Sequence, residues 1–176
     1  MKLKFEIDKE AIRSMVRAFY ELDPDFVQKY HAIAGASFDD CVQYELDQIF
    51  EPGSSFFHID SDECTIALGC VNEKALDSEE EINLFCKTID PNNGEHVVRS
   101  LCFFFVHPNY RKKEFIPIIW ECVRAAAKGA NFIVGIREKN VPASQFYAKM
   151  GGKFIAKVPD HKNPGEIANL FLFGGA

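Results

Sequence analysis

The sequence predicts an α/β (α+β) fold, with a mixed central sheet of about six or seven strands flanked by about four helices. Three observations predict it. Strand-like and helix-like periodicities alternate through the second half of the chain, whereas the first half runs helices and then a hairpin. The stretch 97–106, VVRSLCFFFV, is a near-continuous apolar run of the kind a buried strand shows. No repeat, low-complexity tract or linker interrupts the 176 residues, so residues 1–176 read as a single domain.

In chain order, Leu3, Phe5 and Ile7 alternate with Lys2, Lys4 and Glu6, as in a half-buried strand. Asp8 caps a helix whose apolar face is Ile12, Met15, Val16, Phe19 and Tyr20. Asp23-Pro24 ends it and opens the next helical stretch, Phe26 to Phe50, which breaks near Ala34-Gly35. Ser37 and Asp39 are cap candidates for its second part. Pro52-Gly53 marks a turn, and Phe56 to Ile59 with Thr65 to Val71 form a hairpin. Residues Asn72 to Glu81 read as an acidic exposed loop, Ile82 to Ile89 as a strand, and Asp90 to Gly94 as a turn. After the apolar run come a helix from Pro117 to Lys128 facing the core through Ile118, Ile119, Cys122, Val123 and Ala126, and a strand from Phe132 to Ile136. A short helix from Pro142 to Met150, closed by Gly151-Gly152, leads to strands at Lys153 to Val158 and Glu166 to Phe173.

Composition narrows the classes. No apolar run approaches the ~20 residues that span a bilayer, and the N-terminus lacks a signal-peptide core. A cytoplasmic protein with no membrane partner is expected. Cys41, Cys64, Cys70, Cys86, Cys102 and Cys122 are scattered without a C-x-x-C pair, which fits reduced thiols and offers no metal-ligand spacing. The net charge of −6 argues against nucleic acid as a general partner. It is unevenly spread: residues 1–100 hold nine cationic against 21 acidic side chains, and residues 101–176 hold eleven against five.

The apolar run ends in Val106-His107-Pro108-Asn109-Tyr110 and is followed by the cations Arg111, Lys112 and Lys113 and a helix start. A helix start offers unpaired N–H groups and the positive end of the dipole, so it can hold an anion. Further on stands Asn140-Val-Pro-Ala143-Ser-Gln-Phe146-Tyr147-Ala-Lys149-Met-Gly151. The first of these resembles the V-x-P-x-Y-R strand end of the GCN5-related N-acetyltransferases (the GNAT superfamily), and the second resembles that family's N-x-x-A-x-x-F-Y-x-K-x-G motif. The likeness is specific over roughly a third of the chain, from Leu101 to Phe154; before it, only element order matches.

The resemblance implies an acyl-CoA N-acyltransferase-like fold with acetyl-CoA as co-substrate. It implies a pantetheine rail along Phe104, Phe105 and Val106, and a pyrophosphate turn at Arg111, Lys112, Lys113, Glu114, Phe115 and Ile116. It implies that Asn140 and Ser144 lie by the cofactor arm and that Tyr147 protonates the departing thiolate. The acceptor is then a small-molecule or peptide amine, cationic because the half that builds the acceptor side is acidic, and a homodimer is an expectation of the family. The sequence departs from the family in the turn, where Glu114 and Ile116 replace two small residues, in the manner of bacteriophage-encoded variants. Side chains there obstruct phosphate, and a carboxylate repels it.

Each of these residues also has a plainer reading. Tyr147 can be a core aromatic beside Phe146, Asn140 a helix cap, and Lys112 and Lys113 a solvated turn. His107 and Cys102 read as structural. For the general base, Glu95, His96 and Glu138 are candidates by position, and Ser100 can order a water. A catalytically inactive GNAT-fold protein used as a binding module is the alternative to the enzyme.

Overall fold

The computed structural model describes residues 1–73, 98–160 and 163–174. The loop, strand and turn expected between Lys74 and Val97 lie outside the described residues. The chain runs β1 (Lys2–Phe5), α1 (Lys9–Glu21), α2 (Pro24–Tyr30), α3 (Phe38–Ile49), β2 (Ser54–Asp60), β3 (Thr65–Asn72) and β4 (Val98–Val106). A 3-10 turn at Pro108–Tyr110 leads to α4 (Ile116–Ala126), β5 (Asn131–Arg137), α5 (Val141–Lys149), β6 (Lys153–Pro159) and β7 (Ile167–Phe173). The strands form one seven-stranded sheet in the order β1-β2-β3-β4-β5-β7-β6. Among the described residues, the β4–β5 pair alone is parallel, so the sheet is mixed, with strands in the number expected and one more helix.

Local chemistry sets the helix starts. Asp8 accepts the Ala11 N–H at 2.8 Å, and Asp23 accepts that of Phe26 just before Pro24, whose fixed φ suits a first turn. Of the two cap candidates Ser37 is the N-cap, and it forms a reciprocal capping box with Asp40 at the third helical position, while Asp39 lies in the first turn. Gly35 at φ 78° and Gly53 at φ 85° make the turns beside α3, where a Cβ would strain the backbone.

The sheet has a core on each face. On one, α1, α2 and α3 cover Phe56, Leu68, Phe103 and Phe105; on the other, α4 and α5 cover Phe57, Ile59, Ile66, Phe132 and Phe173. Strand alternation sends Phe56 and Phe57 to opposite cores. Gly69 lies opposite Phe57, and a Cβ there would stand 2.2 Å from the Phe57 ring. Gly69→Ala should therefore cost about 1–3 kcal/mol of stability through overpacking, measured by denaturant unfolding. An unchanged midpoint would show that the ring moves freely.

Two expectations are corrected. In β1, at the sheet edge, Leu3 packs on the core while Phe5 is half exposed, and Ile7, beyond the end of the strand, is almost fully exposed. In α4 the buried face is Ile119, Trp120, Val123 and Ala126, while Ile118 is half exposed and Cys122 partly covered. Both stripes have helical spacing. Rotation toward Trp120 buries the larger ring against Phe132 and Phe173, at centroid distances of 5.8 and 4.8 Å.

Asp60 closes the hairpin edge. Burial works against its charge, but Lys4, His58 and Thr65 together outweigh burial and hold its pKa down at about 2. A depressed carboxylate contributes stability that is full above its unfolded pKa near 3.8 and is lost as pH falls through about 2. Asp60→Asn should thus remove about 2 kcal/mol at pH 7 and flatten the acid limb of the stability curve between pH 4 and 2. An identical acid limb in the variant would contradict this.

Candidate active site

The site begins where two strands part. β4 and β5 pair only through Val98↔Asn131, Arg99↔Phe132 and Ser100↔Ile133. Beyond Ser100, β4 stays on β3 and β5 stays on β7, so the two halves of the sheet diverge. A bulge contributes: Cys70 faces Phe103 and Val71 faces Leu101, which leaves Cys102 as the extra residue of β4. A bulge bends its strand and increases its twist. Among the described residues, the β4 backbone from Leu101 to Val106 therefore has no strand partner on the β5 side.

The gap opens into a cavity of about 360 Å³. Ser100 to Phe104, Ile133 to Arg137, Asn140 and Tyr147 line one side, and Tyr30, His31, Tyr44, Glu45, Gln48 and Asp160 line the other. Two buried side chains hold the segment after α2, which starts at His31 in this wall. The Arg137 guanidinium donates to the Ala32 carbonyl at 2.7 Å and pairs with Asp160 at 2.8 Å. The Asn163 side-chain oxygen accepts the Ala34 N–H at 2.9 Å.

The expected site residues fall into two groups. Phe104, Asn140 and Tyr147 border the cavity. Phe105 and Val106 continue the same strand, but the Phe105 ring is buried among Phe19, Tyr20, Phe26 and His31, so only its backbone can meet a ligand. Asn140 is buried and caps α5, its Oδ1 accepting the Ala143 N–H at 3.2 Å, so it is a cap and a cavity residue at once. Tyr147 is buried beside Trp120, Phe146 and Phe173 and borders the cavity, so its aromatic-core role and its cavity position coexist. Burial pushes its phenol well above the ordinary value of 10, which keeps the proton on it. A thiolate in the same desolvated place is also destabilised, which is the condition for a proton to pass from phenol to sulfur.

The second group stands apart from the cavity. Ser144 lies one turn into α5 with a buried hydroxyl that has no hydrogen-bond partner among the described residues. The turn Arg111 to Ile116 does not line the cavity, and several of its donors are engaged within the chain. The N–H groups of Phe115 and Ile116 both donate to the Lys112 carbonyl, and Pro117 has none to give. Arg111 donates to the Val106 carbonyl and pairs with Asp23 at 2.5 Å, its guanidinium over the Phe26 and Phe105 rings. Here the Arg111 charge ties the end of β4 to the start of α2. Lys112 and Lys113 are exposed cations, with the Glu114 carboxylate exposed beside them.

Among the base candidates, Ser100 borders the cavity, Glu138 is exposed and paired with Lys157, and Glu95 and His96 lie outside the described residues. Cys102 donates its S–H to the Cys70 carbonyl, and this bond and its burial push the thiol up, so it is structural. The His107 main-chain N–H donates to the Ile66 carbonyl, and its Nδ1 accepts the Asn109 N–H at 3.2 Å. Glu45 was missed. It is 2% exposed on the buried face of α3 and lines the cavity. The signal was present: Cys41, Val42, Leu46 and Ile49 form a helical apolar stripe, and Glu45 stands within it.

No family model matches the sequence, and no curated protein matches it. Solved structures do. The aminoglycoside N(6')acetyltransferase of Legionella pneumophila superposes with a TM-score of 0.69 at 14% identity, over 99% of this chain and 94% of that one. A protein from Desulfovibrio desulfuricans named as a GNAT-family acetyltransferase gives 0.63 at 13% identity, over 99% of both chains. The ribosomal-protein-S18-alanine N-acetyltransferase of Escherichia coli gives 0.57 at 12% identity, over 99% and 94%. The chain therefore has the GNAT fold, the acyl-CoA N-acyltransferase-like architecture.

Proposed function

We propose that the protein is an N-acyltransferase that moves the acetyl group of acetyl-CoA directly to a cationic amine, in the cytoplasm. The observation that carries this reading is the parting of β4 and β5 beyond Ser100, which leaves a strand edge and a cavity side by side. An extended pantetheine arm can hydrogen-bond to that edge as an added strand would. The thioester then sits at the bulge, where a β4 backbone N–H can hold the oxyanion. The reaction asks for little beyond this, because holding amine and thioester together supplies much of the rate. Asn140 positions α5, and Tyr147 returns a proton to the departing sulfur. Two neighbours in fold are named for acceptors with amino groups, an aminoglycoside and a ribosomal-protein alanine, which agrees with an amine acceptor. A panel of primary amines with acetyl-CoA, read as free-thiol release, tests this. Release that depends on the amine supports it, and no release above hydrolysis with any amine contradicts it.

A second reading, a binding module without catalysis, has one observation in its favour: the Phe115 and Ile116 amides of the cofactor turn donate to the Lys112 carbonyl and Arg111 is held by Asp23. In the enzyme reading, phosphate is held instead by Lys112 and Lys113, and Glu114 opposes it. Glu114→Gly should then tighten acetyl-CoA severalfold, more at low than at high salt because the charges are exposed. Calorimetry that finds no change at any salt would favour the module.

A further inference from the structure

We propose that two copies of the chain join through the open edge of β1, antiparallel and with Phe5 against Phe5, so that their sheets become one. This does not depend on the acyltransfer reading.

Among the described residues β1 pairs with β2 alone, so its other edge can accept a strand. Leu3 packs on the core beneath α4 and α5, and Phe5 lies on the same face by alternation, 49% exposed. Ile7, 91% exposed, continues that pattern beyond the strand end. What fits this edge is written in residues 2–8, Lys-Leu-Lys-Phe-Glu-Ile-Asp. Laid antiparallel on itself about Phe5, the segment sets Leu3 against Ile7, Lys4 against Glu6 and Lys2 against Asp8. Each apolar residue meets an apolar one, and each cation meets an acid. Directly opposite pairs of this kind stabilise a sheet, and like charges there destabilise it. The register is therefore fixed. Moving the axis by one residue sets Lys4 against Lys4 or Glu6 against Glu6, and a parallel pair in register sets like against like throughout. A closed two-fold pair follows, with the same edge used by both copies.

The contacts within the chain leave room for this. Lys4 meets Asp60 at 2.7 Å and Asp8 caps α1, but an ammonium has three donors and a carboxylate two oxygens. Glu6 accepts the Ile7 and Asp8 N–H groups in the single chain, and pairing releases it toward Lys4 of the second copy. The opposite edge of the sheet is built differently. β6 has a bulge between Phe154 and Ala156 and ends in Pro159, and pairing on itself about Ile155 sets Lys153 against Lys157. Bulges, proline and lysine are the devices that keep an edge from pairing. β1 runs in unbroken register with β2 and has neither bulge nor proline.

Sedimentation velocity of the full chain tests this. A single strand pair is a small interface, below ~1,200 Å², so the wild type should pass from monomer to dimer over roughly 1–200 µM. Added salt should weaken the dimer, because its charge pairs are exposed. Phe5→Lys and Phe5→Glu each set like charges at the axis and should raise the dissociation constant at least about tenfold. Mixed in equal amounts, the two variants set a cation against a carboxylate there and should associate more tightly than either alone. Glu6→Lys sets two cations against each other on the opposite face and should weaken the dimer in the same way. Thermal unfolding confirms that each variant is folded. A wild type that stays monomeric throughout would leave the edge to a different partner and overturn the proposal. A dimer that survives both Phe5→Lys and Glu6→Lys would place the interface elsewhere and overturn it too. A mixture no tighter than its components would overturn the register.

Discussion

Arg137→Ala should lower stability by about 3–5 kcal/mol, because it leaves the buried Asp160 carboxylate without its cation. The two side chains are 7% and 8% exposed, so solvent cannot replace what is lost. The Ala32 carbonyl loses its donor as well, and the segment after α2, beside Tyr30 and His31 of the cavity lining, loses this tie to β5. The loss is a large part of the ~5–15 kcal/mol that holds a domain of ordinary stability. At roughly 2–4 °C per kcal/mol for a chain of this size, melting should drop by about 10 °C. The double variant Arg137→Met with Asp160→Leu should recover most of the stability, since a buried ion pair adds little over apolar groups of similar volume. A melting point unchanged in Arg137→Ala would show that water reaches the pair and that the cavity wall is held by other contacts.

Gly135→Trp should abolish cofactor binding while sparing the fold. Gly135 lies on β5 at the cavity, and a Cβ there meets only Leu170, at 3.4 Å. The backbone thus accepts a side chain, and an indole would take up much of the space between the diverging strands. Acetyl-CoA affinity should fall at least 100-fold, equivalent to about 2.7 kcal/mol, with melting shifted by a few degrees at most. Unaltered affinity in a folded variant would place the acyl arm outside the β4–β5 gap.

The features legible in the sequence are those that short-range chemistry writes. The caps Asp8, Asp23 and Ser37, the turns at Gly35 and Gly53, and α5 between Asn140 and Gly151 all follow from neighbours a few residues apart. The parting of β4 from β5 does not: parallel pairing through Ser100 and its absence beyond depend on which strands flank each one. Arg111 shows the same limit. Its motif position suggests phosphate, but its partner is Asp23, 88 residues away in sequence. The Arg137 contacts with Ala32 and Asp160 are likewise made by the fold. Glu45 lay between these extremes. Its place in an apolar stripe was readable, whereas the cavity it lines appears only when α3 packs over β4.

Calorimetric titration of the unmodified protein with acetyl-CoA addresses the central claim, that the gap between β4 and β5 is an acyl-CoA site despite its altered turn. The account predicts saturable binding of one acetyl-CoA per chain, weakened by added salt through Lys112 and Lys113. No detectable heat at millimolar acetyl-CoA, at low as well as moderate salt, would contradict it.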